Sequence, residues 1–456
     1  MTTSSIARFY DSKSALIAQH PSLARSLPAS QMFTIKLGLD RYRANNPGSP
    51  VYDASQGDGG ASLGGIPPEE IERALHAFLP GKQTTAYGQP NGDVRVRAAI
   101  HENYYRLETL DGCSPENVVL TNGGRPALQH WFQAIHLATG KIGNIIVTSA
   151  APWISYPHGA YLNGFNLLCA PAAGPMDFRV TPDSLHACKD LAGWHNPAEM
   201  SLIIATPDNP TGTFYGPLSV INLIEQAFLR GIRKILIDVM YQDTLDDDVE
   251  PYNWFSMLSV LPKEIRQCVT LLGGLTKSTG ASNCRAAHLW CGDAKFAKTI
   301  AAIASHTSGP PNVLGEALMY EVYRQSFPTE HPWVQAITKP TSESRKIFRD
   351  RMTELGYTFV SGQGYYAFID VSEWLGTHLH PDNFFNNLAH TETCIETVDI
   401  LASYLAQIHG IAVVPGTPFL QPNFIRFSLA QNPELMLPAI TRLDEALKFL
   451  KNQKSL

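Results

Sequence analysis

No two cysteines in this chain stand at CxxC spacing, and their number is odd. The seven, at 113, 169, 188, 268, 284, 291 and 394, read as reduced thiols of a cytosolic protein rather than as a disulfide framework. Long apolar runs are missing as well. The opening stretch, MTTSSIARFYDSKSALIAQH, lacks the continuous apolar core of a signal peptide, and no later stretch has the length needed to span a bilayer. A soluble, cytoplasmic protein is the expectation. Nor does one sign of charge dominate: 35 Lys and Arg stand against 41 Asp and Glu, a net charge of −6. That balance points to neither nucleic acid nor an anionic membrane as partner.

Two site signatures are also wanting. A nicotinamide-binding turn needs a strand, G-x-G-x-x-G and a helix in succession, and the nearest candidate, GDGGAS at 57–62, lacks the third glycine. A nicotinamide-dependent dehydrogenase is therefore the weakest enzymatic reading. The acidic run DTLDDDVE at 243–250 fits no calcium loop, and His378 and His380 have no companions at metal-ligand spacing. No metal is expected. The residues ahead of the first motif are too few and too weakly basic for a DNA-binding module, which argues against a cofactor-sensing regulator.

What is present is chain enough for more than one core, since 456 residues exceed what a single hydrophobic centre organises. Between about 115 and 295, short apolar runs alternate with helical stretches: NIIVTS at 144–149, SLIIATP at 201–207, KILIDVM at 234–240, VTLLGGL at 269–275 and HLWCG at 288–292. Strands that are apolar throughout are buried on both faces, so the pattern predicts a mostly parallel sheet sandwiched by helices. Beyond 330 come a helix through ESRKIFRDRMTEL, a strand at YYAFIDV, a helix at ETVDILASYLAQI and a strand at FIRFSL. A last helix follows, with Ile440, Leu443, Leu447 and Leu450 at helical spacing. The expected fold class is α/β, with a large domain over 61–330 and a smaller α/β domain over 331–456. Residues 1–60 are expected to form an N-terminal segment that joins the smaller domain.

One lysine of the large domain is out of its usual place. In GGLTKSTGASNCRAA, residues 273–287, Lys277 follows a strand end and has no charged neighbour until Arg285. Ligands of open parallel sheets bind beyond the carboxyl ends of the strands, and a partly desolvated lysine there suits a Schiff base. A lysine alone is more often a solvated surface group. Its companions change that reading. Asp238 ends the strand KILIDVM with Tyr241 three residues on, and Asn209 lies in the turn of ATPDNPTG after a third strand. Carboxylate, amide, phenol and amine on one sheet edge suit a pyridine cofactor: the carboxylate keeps a ring nitrogen protonated, and amide and phenol bond a ring oxygen. Arg285 can hold a phosphate bidentately. The turn TNGGRPAL at 121–128, in which Gly124 and Arg125 lead into a helix, offers backbone N–H groups to the same phosphate.

These segments resemble the fold-type I pyridoxal-phosphate enzymes of the class I/II aminotransferase family. Gly274, Lys277, Gly280, Arg285 and Ala287 fall on the constrained positions of that family's lysine signature, with NPTG at 209–212 and D-x-x-Y at 238–241 in matching order. The resemblance covers about residues 50 to 450 and implies an aspartate aminotransferase-like fold with a seven-stranded type of sheet. It implies pyridoxal 5'-phosphate as cofactor, Lys277 as the Schiff-base lysine and proton carrier, and Asp238 as partner of the pyridine nitrogen. Asn209 and Tyr241 would reach the ring hydroxyl, Arg285 the phosphate. By the same likeness Trp153 in APWISYP stacks on the ring, and Arg426 in FIRFSLA, with Asn209, binds the substrate α-carboxylate. Tyr87 in AYGQPNG would reach the phosphate of a neighbouring subunit, which implies a homodimer with shared active sites. GPPN at 309–312 resembles a loop that approaches from the partner.

The chain departs from the family in its glycine-rich SQGDGGASLGGIPPEE, in the alanine of RAAH at 285–288 where glycine is more usual, and in having no evident second arginine for a side-chain carboxylate. Aspartate or glutamate is thus not singled out as the amino donor. If Arg426 holds the carboxylate near the ring plane, the Cα–H bond faces Lys277 and proton abstraction comes first. Transfer of the amino group of an L-amino acid to a 2-oxo acid is the favoured outcome, because it dominates the family. A lyase or cyclase acting by β- or γ-elimination or replacement, or an amino-acid oxidase, would use the same groups and stays open.

Overall fold

The computed structural model describes residues 31–80, 86–140, 144–192, 200–379, 385–386, 391–392 and 394–454; His380 falls outside them. Seven strands form the large sheet: β1 Val118–Thr121, β2 Ile145–Thr148, β3 Asn166–Cys169, β4 Met200–Ala205, β5 Ile235–Asp238, β6 Val269–Gly274 and β7 Ala287–Cys291. Their order is β1-β7-β6-β5-β4-β2-β3. The run from β3 to β6 is parallel at every pairing. β7 is antiparallel to both of its neighbours. Every residue of these strands is buried, and alternate side chains serve opposite faces: Ile235 and Ile237 enter one core, Leu236 the other. Both faces are thus covered, as the continuous apolar runs predicted. β1 and β3, formed by VVLT and NLLC, were not among those runs.

The second sheet contains β8 Phe359–Val360, β9 Tyr366–Asp370, β10 Val414–Pro415 and β11 Phe424–Ser428, in the order β10-β11-β9-β8 and antiparallel throughout. Helices Val398–His409 and Pro433–Lys454 cover it, and Ile440, Leu443, Leu447 and Leu450 are wholly buried. The N-terminal chain docks on this unit. Ile35 and Leu39 of helix Gln31–Asn45 pack on Ala406, and Tyr52–Asp53 pairs in parallel with Ile411–Ala412.

Helix Pro332–Glu354 bridges the two cores, with Trp333 and Val334 in the first and Phe348 and Met352 in the second. It starts earlier than ESRKIFRDRMTEL indicated because it runs through Pro340, a residue that ordinarily breaks a helical pattern. The acidic run finds its explanation on this helix. Asp246 accepts from Arg345 Nε at 3.0 Å and from Arg349 Nη1 at 3.0 Å; against the upward push of burial these arginines hold its carboxyl down at about 2. Among the described residues no group of side chains is arranged to hold a metal, and no helix is long and apolar enough to cross a membrane. All seven cysteines are free thiols.

Candidate active site

The large sheet explains why residues far apart in sequence meet. The loops after β1, β2, β4, β5 and β6 all leave from one edge, where register sets Thr121 and Gly274 opposite Ala287, and Ala205 opposite Asp238. Because β7 runs against the rest, its amino end lies at that same edge. Arg285, two residues before it, therefore arrives beside the others. Gly124, Arg125, Trp153, Asn209, Asp238, Tyr241, Lys277 and Arg285 line one cavity of about 290 Å³.

Asp238 forms the floor. Tyr156 OH donates to its Oδ2 at 2.8 Å and the Met240 N–H to its Oδ1 at 3.1 Å. Burial raises this carboxyl to about 6, while Tyr156, the Met240 N–H and the charge of Lys277 pull the other way. The turn that begins with the Met240 bond presents Tyr241, whose hydroxyl meets that of Tyr366 at 3.1 Å. Asn209 is held by a knot at its neighbour: Thr211 Oγ1 donates to Asp208 Oδ2 at 2.6 Å. Burial lifts the Asp208 carboxyl to about 7.

Lys277 sits in the short turn Leu275–Ser278 after β6. Its Nζ donates to the Gly57 carbonyl oxygen, and Tyr365 OH donates to its own carbonyl oxygen. Arg426 on β11 approaches from the second sheet. Its Nη1 donates to Asn209 Oδ1 at 3.0 Å and its Nη2 to Ser55 O at 3.1 Å, with the guanidinium 4.2 Å from the centre of the Tyr366 ring.

The lining suits pyridoxal phosphate. Arg285 adopts a left-handed backbone, φ 55°, and its guanidinium lies where a Cβ on Gly123 would overlap it. Glycine at 123 thus lets the cation lie against the amino end of helix Gly124–Thr139, a setting that favours a phosphate. Thr276 Oγ1 and Arg426 Nε are buried and have no hydrogen-bond partner among the described residues, so polar atoms are left over beside Lys277 and beside the group that would take the substrate carboxylate. A buried carboxyl at the floor is the group a protonated ring nitrogen pairs with. Trp153 stands edge-on to Tyr156 at 5.5 Å, with the Arg125 guanidinium 5.8 Å from its ring.

Tyr87 is the one expected site residue that does not join this group: it is 96% exposed. GPPN packs within its own chain, where the Asn312 N–H donates to Asn122 Oδ1 at 2.9 Å. Four participants were not anticipated from sequence. Tyr156 follows Trp153 by three residues, one helical turn, a spacing that can flag it. Tyr366, Asp58 and Ser282 reach the site through long-range packing, for which no local signal exists.

Comparison with known proteins completes the picture. Residues 55–443 match the family described as aminotransferase class I and II. An aspartate aminotransferase of Bacillus sp. (strain YM-2) is 25% identical over 392 residues, covering 84% of this chain and 88% of that one. An aspartate/prephenate aminotransferase of Thermus thermophilus is 23% identical over 432 residues, 94% of this chain and 97% of its own. Among solved structures, the aspartate aminotransferase of Rhizobium meliloti superposes with a TM-score of 0.75 at 18% identity, covering 94% of this chain and 98% of that one. The fold is thus that of aspartate aminotransferase, and the chain belongs to the class I and II aminotransferases, enzymes that use pyridoxal phosphate.

Proposed function

We propose that Lys277, Asp238, Asn209, Tyr241, Arg285 and Arg426 carry the transfer of an amino group from an L-amino acid to a 2-oxo acid. The reading rests on one observation above the rest: the Lys277 amine and the buried Asp238 carboxyl line the same cavity. What bound pyridoxal phosphate supplies is an electron sink conjugated with the substrate Cα. The remaining work falls to the chain. Arg426, anchored by Asn209 and Ser55 and with its Nε unpaired among the described residues, receives the α-carboxylate and so fixes which Cα bond faces Lys277. Lys277 Nζ takes the Cα proton and returns it after the electron pair has moved. Asp238, steadied by Tyr156, would keep a counter-charge at the ring nitrogen, while Arg285 and the first N–H groups of helix Gly124–Thr139 would hold the phosphate. With the cofactor bound, Asn209 and Tyr241 would be the donors for its ring hydroxyl, and Trp153 the aromatic side chain beside it.

Aspartate and prephenate, named for the relatives, are carried over only as far as the amino acid and 2-oxo acid they exemplify. A second copy of the chain completes each site, with the exposed Tyr87 reaching the partner's phosphate; a fully active monomer in sedimentation would remove this. The large and small domains divide near residues 60 and 330; the first boundary is supported by Ala54 packing in the second core and Ile66 in the first, while beyond 330 the helix Pro332–Glu354 still gives Trp333 and Val334 to the first core before Phe348 and Met352 join the second. Cytoplasmic residence fits the seven free thiols, and fractionation that finds the protein elsewhere overturns it.

The test is a half-reaction. Amino acids are added to cofactor-loaded protein with no 2-oxo acid present. Conversion of the cofactor's absorbance to that of its amine form, with one equivalent of 2-oxo acid released, is the expected result. Lys277→Ala is expected to slow it by about 10⁴-fold, the upper range for loss of a general acid–base. A near-wild-type rate in that variant would sink the assignment, and return of the aldehyde form with no 2-oxo acid added, accompanied by release of ammonia, would mark elimination instead.

A further inference from the structure

One charged side chain in the cavity wall has no task in the mechanism above, on which this inference rests. Asp58 lines the same cavity as Lys277 and is the residue after Gly57, whose carbonyl accepts from Lys277 Nζ. A substrate whose Cα lies at that amine therefore has Asp58 within reach of its side chain. Its Oδ1 accepts from the Gly60 N–H at 3.0 Å and from Ser282 Oγ at 2.9 Å. Oδ2 makes no hydrogen bond among the described residues. The carboxylate is also held in place. A Cβ on Gly60 would overlap the Gly280 carbonyl oxygen, and one on Gly59 would come 2.5 Å from Tyr365 OH, so the loop carrying Asp58 is threaded tightly between Lys277's own loop and β9.

Of the lining's cations, two are assigned in the mechanism and the third, Arg125, is tied to a helix start. Arg285 and Arg125 stand at the start of helix Gly124–Thr139, Arg125 bonded to Ser155 Oγ at 3.2 Å, and Lys277 is reserved for the proton. We infer that Asp58 selects among amino acids by the charge at the far end of their side chains, favouring a cation there and turning away dicarboxylates. A fixed carboxylate in a partly desolvated cleft attracts an ammonium or guanidinium and repels a second carboxylate, which is discrimination by an unfavourable contact as much as by a favourable one.

The experiment is the half-reaction with L-ornithine, L-methionine and L-glutamate on wild type and on Asp58→Asn, which keeps the Oδ1 acceptor and the capping geometry while removing the charge. The wild-type enzyme prefers ornithine to glutamate. In D58N the ratio of their kcat/KM values falls by about tenfold or more, mainly through KM. Asp58→Ser, a second uncharged cap, must move the ratio in the same direction. The inference is overturned if wild type prefers glutamate, which would assign the side-chain end to Arg125, or if both variants leave the ratio within about twofold. Failure of all three amino acids to discharge the cofactor would instead overturn the aminotransferase mechanism. Methionine turnover with an unmoved ratio would overturn only the selectivity.

Discussion

Asp238 shows how one buried side chain sets the chemistry. An exposed aspartate loses its proton near pH 3.9, whereas burial keeps this one protonated up to about 6. Between those values the folded chain binds more protons than the unfolded one. Stability without cofactor therefore falls as pH rises through that window, and the penalty remains in full above it. A cationic ring nitrogen removes the penalty by pairing with the charge. It follows that cofactor affinity of the free chain declines as pH falls through about 6. Tyr156 OH, donating to the carboxylate at 2.8 Å, favours the charged form. Tyr156→Phe is thus expected to move the midpoint of that decline to higher pH and to weaken binding at pH 7 by about tenfold, the scale of a hydrogen bond to a charged group. Fluorescence titration of the cofactor across pH 5–8 reads both effects, and an unmoved midpoint would show that Tyr156 does not tune Asp238.

At the scale of elements, the glycine-rich stretch 57–65 stands out. Its GDGGAS is the nearest approach to a nicotinamide-binding turn in the sequence, yet it folds into a short capped helix. Asp58 caps the short helix Gly59–Leu63 and Ser62 Oγ donates to Ala430 O at 2.5 Å, while Gly60 and Gly280 pass so closely that neither tolerates a side chain. Gly280 additionally needs φ +65°, open to glycine and strained for other residues. Gly60→Ala is expected to cost about 1–3 kcal/mol of stability, the usual price of overpacking, and to lower kcat more steeply than cofactor binding, because the displaced segment carries the acceptor for Lys277 Nζ. Urea unfolding with half-reaction kinetics checks this; a variant with wild-type kcat and stability would mean the two loops can separate freely.

For the molecule as a whole, the active site is a seam. Arg426 reaches Asn209 across it, Tyr366 meets Tyr241, and Arg345 with Arg349 ties helix Pro332–Glu354 to Asp246 in the loop after β5. Each link joins the second sheet or its helix to the first, so orientation of the substrate depends on how the two units sit together. The proposed sharing of Tyr87 extends that dependence to a second chain. If it holds, mixing Lys277→Ala with Tyr87→Phe protein restores activity above the mean of the parents, since each mixed dimer keeps one site free of both lesions. Purely additive activity after subunit exchange would show that each chain works alone.

How much of this was legible beforehand differs by residue. Lys277, Asp238 and Asn209 could be read directly, because each lies in a strand–turn segment whose apolar run, glycines and prolines fix where the strand ends, and parallel strands must deliver their carboxyl ends to one edge; Arg285 precedes the antiparallel β7 and was legible only through its nearness in sequence to Lys277. The two-sided burial of the large sheet was legible for the same local reason. β1 and β3 were not, and neither was the continuation of a helix through Pro340, where burial of Trp333, Val334 and Ile337 outweighs a local breaker. Sequence alone therefore determined that the sheet is mostly parallel and that Lys277, Asp238 and Asn209 come to one edge of it. Only the tertiary structure decided which companions surround those residues: Tyr156 under Asp238, Tyr366 beside Tyr241, Asp58 next to Lys277. Those contacts join segments that share no local pattern and depend on how two cores pack across one cleft.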